Sequence, residues 1–213
     1  MTSLIVPVYT IDQETEDLCR DALRTIVQTD LPIELIVVDD GSTFRSDEFM
    51  RDNADLYIRH RQNRGYAGAV NSGLKAARGE QIFIMSSDVR MPPNWLEPLV
   101  RIMEEDKTIG GISPTAGSPG IIACTWGMRR DVFERVGLFD EQYKQGYYED
   151  TDYYWRIKKL GLKLRYIPEV KIWHAGGATI HKVGGPVHSE ENKQRFIKKW
   201  GFNPDTKPFT NDQ

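Results

Sequence analysis

Carboxylates directly follow two short apolar runs in this chain. Ile82–Met85 leads to Asp88, and Leu35–Val38 leads to Asp39 and Asp40. Apolar runs of this length indicate buried strands, and open α/β sheets bind ligands at the carboxyl ends of their strands. The pattern therefore predicts one pocket for a cation, or for a group rich in N–H and O–H donors. A metal-chelated nucleotide has both properties.

Asp88 needs a second ligand, because one carboxylate is too few to hold a divalent ion. His174 also ends an apolar run, and the glycine-rich residues after it leave room for a ligand. A lone histidine after a strand is otherwise most often a satisfied structural side chain. One oxygen and one imidazole with open positions for phosphate suit Mn²⁺ better than Mg²⁺, which prefers oxygen and water. We expect Asp88 and His174 to bind a divalent metal, with Mn²⁺ preferred and Mg²⁺ as the alternative.

A nucleotide-binding edge is predicted where the first two strands end. Pro7, Val8 and Tyr9 close the first strand, and Asp39 and Asp40 close the second. A carboxylate there can accept a hydrogen bond from the ring N–H of a pyrimidine, and Tyr9 can pack against the base or the ribose. The alternative is that the two acids begin a turn and cap the next helix.

The segment Asn63–Gly73 places three glycines in a predicted helix, where glycine is costly. Close approach of the backbone to a phosphate or to the sheet would explain that cost, and for Gly73 we favour packing against the sheet. The spacing is neither that of a Walker loop nor that of the dinucleotide fingerprint. We assign Asn63, Gly65 and Asn71 to the donor site and expect Asn71 to hydrogen-bond the loop that holds Asp88.

Three acids begin a predicted helix in Gly146–Arg156, among four tyrosines and a tryptophan. Capping and the helix dipole favour acids there, but a cap needs only one. Aromatic neighbours are typical of sugar-stacking surfaces, and a carboxylate can act as general base towards an acceptor hydroxyl. We expect the following side chains to line an acceptor site: Trp126, Tyr147, Tyr148, Glu149 and Asp152.

Composition excludes several classes of protein. The 213 residues are 39% hydrophobic and 28% charged, as in a single globular domain. The net charge of −3 provides no basic field for nucleic acid, and the longest apolar runs, about six residues, are too short for a transmembrane segment. Met1–Pro7 lacks the features of a secretory signal, and Cys19 and Cys124 read as small buried hydrophobes rather than a disulfide framework. We expect a soluble, cytoplasmic protein.

Strands and helices alternate from Ser3 to Glu105, which predicts an α/β fold: a Rossmann-like, three-layer α/β/α arrangement around a mostly parallel, mixed sheet. After Gly110 the predicted strands, such as 121–126 and 170–174, are short. We expect one domain over residues 1–213, with a nucleotide-binding half (1–108) and an acceptor and catalytic half (109–213). Ala175–Ser189 is rich in glycine and is predicted to be a mobile loop.

These motifs together resemble the inverting family 2 glycosyltransferases of the GT-A fold, from Val6 to about Trp200. The second half is most similar to the branch that contains bacterial rhamnosyltransferases. The motifs are Pro-Val-Tyr, Val-Val-Asp-Asp-Gly-Ser, Asn-x-Gly-x-x-x-Ala-x-Asn-x-Gly, Gly-Glu-x-Ile-x-x-x-x-x-Asp, Arg-Arg-Asp-Val-Phe-x-x-Val-Gly-x-Phe-Asp-Glu and Glu-Asp-x-Asp-x-x-x-Arg.

The resemblance implies transfer of a sugar from a nucleotide-sugar donor, foremost a UDP-sugar such as UDP-glucose or a UDP-rhamnose, to a hydroxyl of a glycan or glycoconjugate acceptor. It implies that Asp40, more than Asp39, binds the uracil ring N–H. Asp88 matches the last acid of the family's Asp-x-Asp motif, His174 its late metal-binding histidine, and Asp150 its catalytic base.

The chain departs from the family motif at Ser86, where the first acid of Asp-x-Asp is often found. The loss of that acid would weaken metal binding, or pass ribose and phosphate contacts to the hydroxyls of Ser86 and Ser87.

Three alternatives stay open on the residues alone. A nucleotidyltransferase that forms sugar nucleotides can use a similar sheet, although the acidic loop Tyr9–Glu16 disfavours a triphosphate there. A non-catalytic module that binds a glycan or a nucleotide is the second. The third concerns Glu190–Trp200, which would be a membrane-surface helix if its apolar residues faced outward. We expect Phe196, Ile197 and Trp200 to pack inward instead.

Overall fold

The computed structural model of the protein describes residues 1–44, 47–114, 124–144, 146–183 and 188–206. The strands are β1 (Thr2–Val8), β2 (Ile33–Asp39), β3 (Leu56–Arg59), β4 (Gln81–Met85), β5 (Val89–Arg90), β6 (Ile109–Ser113), β7 (Thr125–Arg129), β8 (Lys163–Tyr166) and β9 (Trp173–His174). The helices are α1 (Gln13–Ile26), α2 (Asp47–Asp52), α3 (Gly65–Ala76), α4 (Leu96–Glu105), α5 (Arg130–Val136), α6 (Glu149–Lys159), α7 (Ala178–Lys182) and α8 (Ser189–Trp200).

Seven strands form one sheet in the order β3-β2-β1-β4-β7-β6-β8. β1 pairs in parallel with β2 and β4, β2 pairs in parallel with β3, and β6 with β8. β7 is antiparallel to both of its neighbours, β4 and β6. The predicted mostly parallel, mixed sheet is confirmed. Its consequence is that the carboxyl ends of β1, β2 and β4 lie side by side.

Each face of the sheet is covered by helices, because apolar residues on successive positions of the strands point to opposite sides. In β1, Leu4 and Val6 pack with α1 and α4, whereas Ile5 packs with α3, α5 and α6. The three-layer α/β/α arrangement is therefore confirmed. Among the described residues, no helix is long and apolar enough to cross a membrane.

Two predicted elements of the second half differ from the structure. The strand predicted at 121–126 begins at Thr125 and continues to Arg129, and residues 121–123 lie outside the described part of the chain. The strand predicted at 170–174 is only Trp173–His174, paired with β5.

The prediction of a loop over Ala175–Ser189 is wrong where α7 forms and at Ser189, the first residue of α8, and residues 184–187 lie outside the described part of the chain. Gly176 and Gly177 have φ of 86° and 81°, which turns the chain back toward Asp88. Asp88 then accepts the N–H groups of Gly177 and Ala178 at the start of the helix. This cap comes from a residue 89 positions away in sequence, so local periodicity does not reveal the helix.

Close packing of α3 on the sheet requires glycine at position 73, as the sequence suggested. A Cβ atom there would overlap the Cγ2 atom of Ile5 on β1. We expect Gly73→Ala to lower the free energy of unfolding by about 1–3 kcal/mol, measured by urea denaturation, despite the better helix propensity of alanine.

The matched test is the same substitution combined with Ile5→Ala. Ile5→Ala removes the side-chain atom that the new Cβ would overlap. The loss of stability in the double variant should therefore be smaller than the sum of the losses in the two single variants. Strict additivity would contradict the packing explanation.

Candidate active site

Asp88 and His174, the two predicted metal ligands, are in direct contact. The register of β5 with β9 pairs Val89 with His174, and Nε2 of His174 lies 3.1 Å from Oδ1 of Asp88. Burial alone would raise the pKa of Asp88, but the hydrogen bond from His174 and the N–H groups of α7 hold it below its usual value. Hydrogen bonds with Asp88 and Cys124 raise the pKa of His174 to about 10. Cys124, expected to be a small buried hydrophobe, is half-buried: it packs against the core and also hydrogen-bonds His174.

The donor set of this pair fits a divalent ion with open coordination positions, on the condition that the ion displaces the proton that Nε2 of His174 shares with Asp88. It consists of one carboxylate and one imidazole, and the described residues contain no cluster of three or more metal-binding side chains. An ion held by Asp88 and His174 would take its other ligands from a diphosphate or from water, which agrees with the chemistry expected for Mn²⁺.

The two acids after β2 have different environments. Asp39 is fully buried, and its carboxylate accepts from the Ser42 N–H, the Tyr57 hydroxyl and the Arg59 guanidinium. These contacts hold the turn after β2, so they support the structural alternative for Asp39. Asp40 is 3% exposed, and burial raises its pKa. Its hydrogen bonds come from His60 and from the Arg64 N–H.

The other predicted donor-site residues share the carboxyl edge of the sheet. Pro7 and Val8 are buried in β1, and the carbonyl of Val8 accepts the Asp40 N–H. Any contact of Val8 with a ligand is therefore limited to its backbone. The residues at this edge with accessible surface are Tyr9, Ser86 and Ser87, which are half-buried, and Asn63, which is exposed and accepts the N–H of Gly65 at the start of α3.

The expectation that Asn71 contacts the loop of Asp88 is wrong. Asn71 is buried, and its amide exchanges hydrogen bonds with the backbone N–H and carbonyl of Phe139 and donates to Glu141. An amide that pairs with both backbone groups of one residue holds that segment in place. Asn71 therefore fixes the chain between α5 and α6 on α3.

Strained backbone precedes the acids of α6. Tyr147 and Tyr148, both half-buried, have φ of 70° and 71°, a conformation that costs about 1–3 kcal/mol for residues other than glycine. Asn192 of α8 compensates: its fully buried amide donates to the carbonyls of Lys144, Gly146 and Tyr147, and its oxygen accepts the Lys144 N–H. This clamp sets where α6 begins.

Glu149 and Asp150, the first residues of α6, form a pair of acids with raised pKa values. Burial is the main cause for both, and the charge of Asp150 raises the pKa of Glu149 further. Asp150 is half-buried and its Oδ1 accepts from the N–H and hydroxyl of Thr151. Glu149 is 6% exposed, and its Oε2 has no partner among the described residues. A raised pKa on a half-buried carboxylate is typical of a general base.

Tyr66 connects the acid pair with the metal pair. Burial raises the pKa of its hydroxyl well above the usual value, and negative charge on Glu149, Asp150 and Asp88 raises it further. Tyr66 belongs to α3, while the acids belong to α6 and to the segment after β4. Because their charges act on the same hydroxyl, both predicted groups lie near Tyr66.

Trp126 and Asp152, which were predicted to line the acceptor site, are both buried among other side chains. Trp126 is 1% exposed and packs against Phe139 and Tyr153, although its Nε1 has no partner among the described residues. Asp152 is fully buried, and its carboxylate binds Trp200 and Lys199 of α8 and Arg156 of its own helix. Asp152 thus joins α6 to α8, which corrects its assignment to the acceptor site.

The sequence motifs did not single out several residues of the site. His60, Arg64, Tyr66 and Asn192 contact or act on predicted site residues from other elements. Arg64 and Tyr66 lie inside the Asn63–Gly73 motif, which provided a signal for them. His60 and Asn192 had no local signal, because their partners are 20 and about 45–48 residues away.

Residues 3–116, more than half of the chain, match the family model described as Glycosyl transferase family 2. The chain belongs to this family.

Curated relatives agree with the family. The glycosyltransferase GlyG of Streptococcus pneumoniae serotype 4 is 34% identical over 110 residues, which are 49% of this chain and 36% of that protein. The putative glycosyltransferase EpsH of Bacillus subtilis is 27% identical over 194 residues, 88% of this chain and 51% of that protein. The chain thus spans about a third to about half of the length of these relatives.

Solved structures share the fold. The mannosyltransferase PcManGT from Pyrobaculum calidifontis, in complex with GDP-Man and Mn²⁺, has a TM-score of 0.73 and 21% identity, covering 92% of this chain and 64% of that one. Residues 1–349 of S. aureus TarS, in complex with UDP-GlcNAc, have a TM-score of 0.60 and 20% identity, covering 73% and 52%. The GT-A fold expected from the sequence is confirmed.

The clamp by Asn192 leads to a test. Asn192→Ala leaves the buried carbonyl of Gly146 and the part-buried backbone groups of Lys144 and Tyr147 without this partner, so we expect it to lower the free energy of unfolding by about 2 kcal/mol. Urea denaturation measures the loss. The control is Gln194→Ala, an exposed position of the same helix, where the change should stay within about 0.5 kcal/mol. Equal effects of the two substitutions would contradict the role of the clamp.

Proposed function

We propose that the protein is an inverting, metal-dependent glycosyltransferase that moves a sugar from a nucleoside-diphosphate donor to a hydroxyl of a glycan or glycoconjugate. The observation that carries this proposal is the hydrogen-bonded Asp88–His174 pair, with the buried Glu149–Asp150 pair near enough that charges of both pairs act on the Tyr66 hydroxyl. One pair suits a metal-chelated diphosphate and the other a proton transfer, and a sugar between them would be in contact with both. Family membership supports the same reaction class.

The donor nucleotide would lie along the carboxyl ends of β1 and β2, in the half of the chain comprising residues 1–108. Asp40 would accept the ring N–H of the base, and Tyr9 would pack against the base or the ribose. Ser86 and Ser87, which are half-buried and close to Asp88 in sequence, would hydrogen-bond the ribose or the phosphates. The relatives of known structure bind GDP-Man in one case and UDP-GlcNAc in another. We expect a UDP-sugar here, because the Val-Val-Asp-Asp-Gly-Ser motif at this edge resembles the family motif whose acid binds uracil.

Asp88 and His174 would hold Mn²⁺, or Mg²⁺, together with the diphosphate. Such an ion, when bound, stabilises the negative charge that develops on the diphosphate as the bond to the sugar breaks. The protein's own contribution is to fix the carboxylate and the imidazole side by side through the β5–β9 pairing. α7, which begins at the same carboxylate, would help to exclude water from the donor.

Asp150 would take the proton of the acceptor hydroxyl as that oxygen attacks the sugar from the side opposite the diphosphate, which inverts the anomeric centre. The Thr151 N–H and hydroxyl fix the carboxylate that has to face the acceptor. Tyr147, Tyr148 and Glu149 border this position and would contact the acceptor. Oε2 of Glu149 and Nε1 of Trp126 are buried without a partner in the described part of the chain, and sugar hydroxyls that reached them would satisfy them.

The rival functions are distinguished by their products. A nucleotidyltransferase would release pyrophosphate from UTP, whereas a binding module would bind glycan without nucleotide or metal. The membrane-surface alternative for α8 loses support, because Phe196 is fully buried and Ile197 and Trp200 are half-buried.

The base assignment is tested with Asp150→Asn, which keeps the size of the side chain but cannot take a proton. We expect turnover of the UDP-sugar to fall by at least ~10² while the affinity for the donor is unchanged. Turnover is measured as UDP release with and without acceptor. Asp17→Asn, at an exposed position of α1, is the control. Near-normal turnover of Asp150→Asn would refute the assignment.

The pH profile is a second readout for the same assignment. Only the ionised carboxylate accepts a proton, so kcat/KM should fall as pH drops through the pKa of Asp150. Because burial raises this pKa, the midpoint should lie above about 3.9, the ordinary value for aspartate. A midpoint at or below that value contradicts a buried base.

The metal site is tested by thermal denaturation with UDP in the presence and absence of Mn²⁺. At about 100 times the dissociation constant, binding adds roughly 2.7 kcal/mol of stability to the wild type. Asp88→Asn and His174→Gln should each abolish the part of the stabilisation that depends on Mn²⁺. The matched control is His181→Gln, an exposed histidine of α7. Full Mn²⁺-dependent stabilisation in both site variants would show that these side chains do not hold the metal.

A further inference from the structure

A buried chain of hydrogen bonds runs from Asp40 through His60 to Ser72 on α3. Nδ1 of His60 lies 2.6 Å from Oδ1 of Asp40, and Nε2 lies 2.8 Å from the Ser72 hydroxyl. The His60 side chain is 9% exposed and the Asp40 side chain 5% exposed. Since Asp40 also receives the Arg64 N–H, its carboxylate acts as acceptor throughout. Nδ1 of His60 therefore carries the hydrogen that points to Asp40.

The count of acceptor positions leaves Asp40 with capacity for one more donor. A carboxylate offers about four acceptor positions, two on each oxygen. Oδ1 receives His60 at 2.6 Å and the Arg64 N–H at 2.9 Å, so both of its positions are used. Oδ2 shares the same Arg64 N–H, at 3.0 Å, and the Gly65 N–H also acts on this carboxylate, so three donors share the four positions. His60 thus fixes which of the two oxygens keeps an open position.

The order aspartate, histidine, serine is also that of a nucleophilic triad, but the surroundings of Ser72 do not suit one. Ser72 lies inside α3, where backbone N–H groups are used by the helix itself. An oxyanion needs free donors next to the nucleophile. Ser72 can moreover donate to the carbonyl of Gly68, 3.2 Å away, one helical turn earlier. The chain of hydrogen bonds therefore serves Asp40 rather than Ser72.

We propose that His60 is a positioning residue for base recognition: by donating to Oδ1, it orients Asp40 so that Oδ2 accepts the ring N–H of the donor's nucleobase. The proposal rests on the nucleotide-binding part of the proposed function and assigns the specificity of that site. Uracil and guanine present a ring N–H to such an acceptor, whereas cytosine presents a ring nitrogen with a lone pair. An acceptor held in place therefore binds UDP and repels CDP.

Without the hydrogen from His60, this selection relaxes for a physical reason. Burial already raises the pKa of Asp40, and the His60 hydrogen bond opposes that effect. A carboxyl group that loses this donor takes up a proton more readily, and its O–H can then donate to cytosine. UDP and CDP differ at this edge of the ring, so the ratio of their affinities reports on the acceptor state of Asp40.

The test measures the affinities of UDP and CDP by isothermal titration calorimetry for the wild type, His60→Asn and His60→Gln. The two variants are a matched pair, because the asparagine amide can take the place of Nδ1 and the glutamine amide that of Nε2. We expect His60→Asn to keep the preference for UDP and His60→Gln to lower it about tenfold. Ser72→Ala, which leaves the donor to Asp40 in place, should keep the preference.

The other possible results of this test either overturn the proposal or lead to a second measurement that decides it. An unchanged preference in His60→Gln, or an equal loss for UDP and CDP, overturns the proposal, since a merely structural histidine would give that result. If the wild type binds neither nucleotide, the proposed function fails and this inference fails with it. If His60→Gln does not fold, two-bond ¹H–¹⁵N spectra of the wild type decide: the hydrogen must reside on Nδ1, and its resonance must shift with UDP but not with CDP.

Discussion

Carboxylates buried at one edge of a sheet are the constraint on which this structure depends. A buried charge is costly unless hydrogen bonds or opposite charges compensate it. Asp39 has Tyr57 and Arg59, Asp40 has His60 and the Arg64 N–H, and Asp88 has His174 with the start of α7. Each acid is thus held by residues from another element. The contacts that compensate these buried charges are therefore also the contacts that bring the residues of the site together.

The acids of α6 are treated differently, and the difference agrees with a reaction. Asp152 is neutralised by Arg156 and Lys199 and ties α6 to α8. In the described part of the chain, Glu149 and Asp150 have no such cation and one oxygen of Glu149 has no partner; the pKa values of both acids are raised. A helix start with strained tyrosines before it concentrates this unfavourable free energy at one place. Backbone strain and raised pKa values are typical of active sites, where a bound ligand or a proton transfer can relieve this unfavourable free energy.

Two asparagines, one in each half of the chain, hold the irregular segments next to that strained helix start. Asn192 on α8 holds the segment before α6, and Asn71 on α3 holds the segment after α5. Both are fully buried amides whose hydrogen-bond partners are backbone groups of irregular segments. An asparagine can satisfy both a donor and an acceptor, which suits a segment that has no strand or helix partner. The positions of Glu149 and Asp150 therefore depend on α3 and α8 as much as on their own helix.

Much of the fold could be predicted from the sequence, because it rests on local patterns. Apolar runs ending in acids identified β2 and β4, and the alternation of strands and helices identified the layers and the mostly parallel sheet. The prediction was poorer after residue 110, where α7 was missed and β7 was placed too early. There the strands are short, and the helix start is capped by a distant side chain.

For the site, the sequence by itself determined which chemical groups are present and that Asp40, Asp88 and His174 follow strands. Only the tertiary structure decided which of them meet. Strand pairing brings His174 into contact with Asp88. Asn71 and Asp152 make structural contacts instead of lining the site. His60 binds Asp40, and Asn192 binds the segment before α6. The physical reason is that a hydrogen bond needs atoms within about 3 Å, and the separation of residues along a chain carries no information on that distance once the chain has folded back on itself.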